Sequence, residues 1–297
     1  MSSHSADNVR EAIKAYYSKV GEAMLEFLKN RAVAAYVVKS DKVFFVRWEN
    51  KAKRIPVIVN SLSKLLSLVD RGFIDFIPCV HPLEENIPDR LVIDMDVGDK
   101  IKASEYWLDI VKYVTYATVK VLRKLKIEPC VKFSGSRGFH IWFGLRKESE
   151  VEELPFTNRD YFAEARRFIV RLTQLVEEEL ENTPEAVRVI RKIVPEWKPI
   201  VTSQVAHKDL RKDQVLLDWS SMKRNGVARA PFSLHYKTAL VSVPVKPDKI
   251  MEFSIEDAKP LYVVENLNKM KKIFELKYYS MDVLKSLSDY SFIDYAI

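Results

Sequence analysis

The sequence predicts an α/β protein in which β-sheets are flanked by helices. Three observations carry that prediction. Short apolar runs such as FIDFIPCV, RLVIDMDV and FHIWFGL have strand length and are rich in β-branched and aromatic residues. Long stretches with apolar residues at helical spacing, within 8–29, 104–125 and 157–180, alternate with those runs. No internal repeat, low-complexity linker or sharp shift in composition divides the 297 residues. The chain therefore reads as a single domain, with a core over about 1–250 and a mainly helical extension over about 251–297.

Taken in order, Ile13, Tyr16, Tyr17, Val20, Met24 and Leu28 line one face of a first helix. AVAAYVV and KVFFVRW flank Lys39-Ser40-Asp41-Lys42, whose short polar character suggests a hairpin. Ser61 to Asp70 reads as a helix ended by Gly72. FIDFIPCV, RLVIDMDV, IEPCVKFSG and FHIWFGL are core strands, the second and third separated by the helix over 104–125. The helix over 157–180 ends in Glu177, Glu178, Glu179 and Glu181, a pattern most simply read as a solvated surface. The stretch 197–212 is polar and irregular, QVLLDWS returns to strand, RAPFSLHYKT is a proline-containing loop, and ALVSVPV is a late strand.

Composition excludes several function classes. With 47% hydrophobic and 30% charged residues the chain is globular rather than disordered or collagenous. No apolar run approaches the roughly 20 residues that span a bilayer, and MSSHSADNVREA lacks the apolar core of a secretion signal, so a cytoplasmic protein with no membrane partner is expected. Cys79 and Cys130 are too few for a disulfide framework, and with five scattered histidines a structural zinc site is not expected. The net charge of +7 suits an anionic partner.

Four segments carry chemistry. Asp94 and Asp96, two apart at the end of an apolar strand, point to the same face, where their charges repel unless a cation or a proton intervenes. Hard carboxylate oxygens suit Mg2+ or Mn2+, although a bare DxD also describes a strand-end turn. Ser134-Gly135-Ser136-Arg137-Gly138-Phe139-His140 sets two glycines, two hydroxyls, a guanidinium and an imidazole in one tight segment, an inventory for a polyphosphate; the bland alternative is a glycine hairpin. Asp218 ends another apolar strand and could complete a two-metal site. Arg229, Ser233, His235 and Lys237 in RAPFSLHYKT add further phosphate-binding groups, although each singly describes a surface residue equally well.

In this order, DMD, SGSRGFH, a strand ending in Asp, and RxPxSLHxKT resemble the archaeo-eukaryotic primase superfamily over nearly the whole chain up to about Pro244. SGSRGFH and RAPFSLHYKT are similar to the small catalytic subunit of DNA primase. YYSKVGEAMLEFLKNR, the run from RGFIDF to DMDVGD, and the spacing from VLLDWSS to APFSL resemble the polymerase domain of bacterial end-joining DNA ligases. The chain lacks the cysteine and histidine zinc module usual in the primase branch. It carries Arg137 where the end-joining branch has Lys, and His235 where that branch has Arg.

The resemblance implies a primase/polymerase catalytic core with a sheet resembling an RNA-recognition fold, and metal-binding carboxylates Asp94, Asp96 and Asp218. It places Ser134, Ser136, Arg137, Gly138, His140, Arg229, Ser233, His235 and Lys237 around the triphosphate of an NTP or dNTP. It further implies a DNA template or primer as partner, and a large primase subunit or a repair ligase as companion. The implied activity is a primase small-subunit-like nucleotidyltransferase, with end-joining gap filling as the alternative. For the nucleic acid, Phe44, Phe45 and Arg47 beside Lys51, Lys53 and Arg54 set cations next to aromatics, a pattern that equally describes a solvated hairpin edge. Two other classes share parts of this inventory: a non-catalytic single-strand-binding protein stacking bases on Phe44, Phe45 and Trp48, and a metal-dependent phosphohydrolase.

Overall fold

A computed structural model describes residues 3–39, 42–83, 85, 87–146, 158–196, 198–204 and 212–287. Helix α1 (Ser3–Leu28) buries Tyr17, Val20, Met24 and Leu28 along one stripe, as their spacing dictates. Strands β1 (Val33–Lys39) and β2 (Lys42–Val46) pair antiparallel with Lys39 opposite Lys42, forming the expected hairpin; its turn residues 40 and 41 lie outside the described residues. A smaller hairpin, β3 (Trp48–Asn50) and β4 (Ile55–Pro56), follows. In α2 (Leu62–Asp70) the Ser61 hydroxyl accepts from the Lys64 N–H and caps the first turn. Gly72, at φ +91°, ends it where a side chain would meet the Val38 carbonyl. Strand β5 (Phe73–Pro78) then completes a three-stranded sheet in the order β2-β1-β5.

Among the described residues the larger sheet has seven strands. These strands and the helices that connect or cover them are β6 (Arg90–Val97), α3 (Asp99–Lys102), α4 (Trp107–Lys124), β7 (Cys130–Phe133), β8 (Gly138–Arg146), α5 (Asn158–Glu181), α6 (Pro184–Ile190), β9 (Val201–Thr202), β10 (Val215–Asp218), β11 (Pro244–Val245), α7 (Pro260–Met270) and β12 (Tyr278–Ser280). The order is β11-β7-β8-β6-β10-β9, with β12 adding parallel to the end of β8. β8 is buried on both faces, which is why FHIWFGL reads as a continuous apolar run. Phe143 meets Phe168 of α5, and Met95 of β6 meets Thr118 of α4, so α4 and α5 cover one face. Trp142, on the other face, packs against Phe27 of α1. The same face carries Asp94, Asp96 and His140.

Two expectations need correction. Glu177 and Glu179 do not form a solvated surface: Glu177 accepts from the Ile200 and Val201 N–H groups, and Glu179 pairs with Lys120 and Lys124, so α5 is tied to β9 and α4. ALVSVPV supplies only the two-residue β11, because Val241 and Ser242 send their N–H groups to Ala258 and Ser233 instead. After residue 250, Tyr278–Ser280 joins the central sheet, an addition to the helices there that the sequence did not signal. α6 was not anticipated either, although Pro184 at its first turn is a helix-start signal.

Candidate functional site

The strand registers build the site. Asp218 lies opposite Asp94, Asp94 opposite His140, and His140 opposite Lys132, across β10, β6, β8 and β7. Directly opposed residues project to the same face, so four titratable side chains form one row. Asp96 stands two residues along β6 on the same face, opposite Gly138. Gly138 allows that pairing, since a Cβ there would fall 1.5 Å from the Met95 carbonyl oxygen. Gly135, at φ +90°, lets the SGSRG turn lie against RAPFSLHYKT, where a Cβ would come within 2.9 Å of His235 Cβ.

The charges along the row are set by their neighbours. Asp94 Oδ1 is buried and has no hydrogen bond of good geometry, with His140 Nε2 at 3.2 Å. Desolvation would raise this carboxyl, but His140, Lys132 and Arg229 overcome it and hold its pKa at about 2. Burial, and then the charge of Asp94, pushes Asp96 up to about 6 despite Arg137 at 3.2 Å. Burial beside Lys132 takes His140 down to about 4, so at neutral pH the imidazole is uncharged. Lys132 is fully buried, and that burial, with Arg229 nearby, draws its ammonium well below its usual range. Its Nζ lies 3.0 Å from His140 Nδ1 and donates to Ser242 Oγ at 2.8 Å.

Asp94 and Asp218 open into a cleft of about 520 Å3, also lined by Arg47, Ser220, Lys223 and Arg224. Arg47 closes one wall by donating to the Asn225 carbonyl at 2.8 Å. Asp96 turns to Arg137, whose Nη1 also reaches Asp99 at 3.3 Å. Among the described residues no three His, Cys, Asp or Glu groups are already drawn together as a metal ligand set. The hard oxygen donors of Asp94 and Asp218, with Oδ1 of Asp94 left without a hydrogen bond, do fit a divalent cation in the cleft.

The remaining residues expected around a triphosphate divide into two groups. Ser134, Ser136 and Arg137 occupy the turn that leads into Gly138 and His140 of β8, and Ser134 Oγ accepts from the Ser136 N–H at 3.4 Å. Arg229 does not present a free guanidinium. Its Nε and Nη2 bond the buried Asp75 carboxylate at 2.7 and 2.9 Å, and its Nη1 bonds the Ser134 carbonyl at 2.9 Å. Ser233 is likewise committed inward, accepting from the Phe76 N–H at 2.8 Å. A buried polar group must find its partner inside, and both residues have done so. His235 packs against the SGSRG turn and is pushed down to about 3 by burial and Arg229; the exposed Lys237 extends over the Tyr236 ring.

Phe44 and Phe45 are both exposed, at 47% and 45%, because β2 is an edge strand. They line an open groove of about 660 Å3 with Arg47, Trp48, Lys51 and Arg71, while Lys53 and Arg54 stand at the β3–β4 turn beyond it. Sequence reasoning missed Asp75, Lys132, Lys102, Lys223 and Arg224. A charged residue inside an apolar strand, as in FIDFIP and CVKF, was the available signal for the first two. Lys102 donates to the Ser136 carbonyl at 3.3 Å, and burial with Arg137 alongside brings it to about 8. Also unforeseen is the ring series Phe45, Tyr36, Tyr236, His235, with centroids 5.1, 3.8 and 5.3 Å apart.

Comparison with known proteins agrees with this architecture. The family model described as LigD, primase-polymerase domain, matches residues 10–274. Among solved structures, the polymerase domain from Mycobacterium tuberculosis ligase D in complex with DNA is similar in fold. Its TM-score is 0.60 at 18% identity, and the match covers 90% of this chain and 93% of that one. No curated protein matches the chain. No helix among the described residues is long and apolar enough to cross a membrane.

Proposed function

The chain belongs to the LigD primase-polymerase domain family, within the archaeo-eukaryotic primase superfamily, and from that premise we propose that it is a template-directed nucleotidyltransferase extending a nucleic acid 3′-hydroxyl with NTP or dNTP. The observation that supports this most is the row Asp218, Asp94, His140 and Lys132 beside the SGSRGFH turn. In this reading the carboxylates are acceptors for a cation, and the adjoining turn supplies donors for a polyphosphate.

In this reading Asp94 and Asp218 would hold Mg2+ or Mn2+, with Asp96 able to assist if Arg137 were drawn to phosphate. An ion bound there would acidify the attacking hydroxyl and offset the charge of the triphosphate. Arg137 and His140 Nε2 donate to the triphosphate oxygens, and Lys102 steadies the turn through the Ser136 carbonyl. The 3′-hydroxyl oxygen gives up its proton to solvent and bonds to the α-phosphorus in line as the bond to pyrophosphate breaks, so no protein nucleophile is required. Arg229 acts from beneath by fixing Ser134 and Asp75. DNA is the partner we infer, from the fold shared with a domain solved on DNA and from the exposed aromatic groove with its cations.

Of the two branches, the family match over residues 10–274 favours filling of primed or gapped ends, with a repair ligase as companion. Priming beside a large subunit is the second reading, favoured by His235, which stands against the SGSRG turn. The test is incubation with manganese or magnesium, labelled NTP or dNTP, and either bare or primed template. Extension of the primed end is expected. Products on bare template would establish priming, and binding without incorporation would leave a single-strand-binding protein.

A further inference from the structure

We propose that Lys132, anchored by Ser242, is a positioning residue that fixes the tautomer and ring orientation of His140, so that Nε2–H is the donor presented on the Asp94 side of the ring. The hydrogens along the chain of contacts account for it. Ser242 Oγ gives its hydrogen to the Phe133 carbonyl at 3.0 Å, so towards Lys132 Nζ, at 2.8 Å, it can only accept. That contact aims the amine at His140 Nδ1, 3.0 Å away. This second bond could run in either direction if only the lysine were considered.

The opposite edge of the ring decides the direction. His140 Nε2 lies 3.2 Å from Asp94 Oδ1, and an ionised carboxylate offers only lone pairs. A bare Nε2 there would set lone pair against lone pair. Nε2 therefore carries the hydrogen, Nδ1 is the acceptor, and Lys132 donates to it whether the amine is charged or neutral. Lys132 and Ser242 are both fully buried and His140 nearly so, with the Trp142 ring 5.3 Å from Nζ, so no water competes for these positions. When Asp94 turns to another partner, the hold on Nδ1 alone keeps Nε2–H pointing outward. The assignment of the outward partner as a triphosphate oxygen rests on the nucleotidyltransferase reading; the tautomer does not.

The test uses nitrogen-15 NMR of the imidazole in protein carrying Asp94→Ala, which removes the carboxylate and leaves Lys132 to hold the ring. A single Nε2–H tautomer is expected, changing to a mixture when Lys132→Met is added. Should that protein not fold, Ser242→Ala frees the lysine with a smaller change and is expected to produce partial mixing. An Nδ1–H tautomer with Asp94→Ala alone, or a pattern unmoved by both further substitutions, overturns the proposal. Nucleotide titration then reads the coupling. Lys132→Met and His140→Ala are each expected to weaken binding about tenfold, and the double variant no further. Independent losses that multiply would also overturn it. Absence of nucleotide binding by the unmodified protein would fail the functional reading instead, with the NMR result still deciding the tautomer.

Discussion

Asp94 and Arg229 stand on the two sides of the site, and their surroundings predict opposite consequences of substitution. Asp94 is favoured by His140, Lys132 and Arg229 but repels Asp96, so the two effects offset and Asp94→Asn should change thermal unfolding only modestly while lowering incorporation on the order of 100-fold or more. Retention of most activity would remove Asp94 from the cation site. Arg229→Met strands the fully buried Asp75 charge, and a denaturant titration should show a loss of about 3–5 kcal/mol. Arg137 is more open and its partners are carboxylates at the cleft edge. Arg137→Ala should therefore spare stability and weaken nucleotide binding by about 1.5–3 kcal/mol in a calorimetric titration. The sequence marked both arginines as phosphate ligands because a guanidinium in a polar loop looks the same whether its partner is a ligand or a carboxylate 154 residues away.

At the scale of elements, the β6–β8 pairing depends on Gly138, whose missing side chain admits the Met95 carbonyl. Gly138→Ala should force these strands apart, costing more than ~2 kcal/mol in a thermal melt and disturbing His140 two residues on. The β3–β4 hairpin makes the opposite prediction. Lys51, Lys53 and Arg54 are exposed there, so replacing all three with Ala should leave folding intact. If they track a single strand, the log–log salt slope of binding should fall by ~0.7 for each phosphate they no longer neutralise, with nucleotide affinity unaltered. An unchanged slope would leave them as surface solvation. The first hairpin was legible because two β-rich runs flank a short polar break. β12 was not, since three residues, YYS, carry no periodicity and pair in parallel with a strand more than 130 positions earlier.

Across the whole molecule, burial keeps three histidines neutral. His81 and His140 are held near 4 and His235 near 3, in each case by burial first and by neighbouring cations second. The unfolded chain takes up protons at an ordinary pKa near 6.5, so it gains over the folded protein as pH falls. Stability should be full above about pH 6.5 and decline towards pH 4, each ring contributing up to ~1.4 kcal/mol per pH unit before solvent screening reduces it. Asp96, raised to about 6, works in the other sense and offsets part of that loss. Equilibrium unfolding measured from pH 7 to pH 4 would test this, and a flat profile would mean the rings are solvated. The sequence by itself determined the alternation of strands and helices, the shared face of Asp94 and Asp96, and the glycine turn of SGSRGFH. Each of these depends on the periodicity or conformational freedom of residues close together in the chain. Only the tertiary structure decided that Asp218 faces Asp94, that Arg229 is bound to Asp75, and that Lys132 backs His140. Strand order and register join residues far apart in sequence, and a buried charge takes whichever partner that register brings within reach.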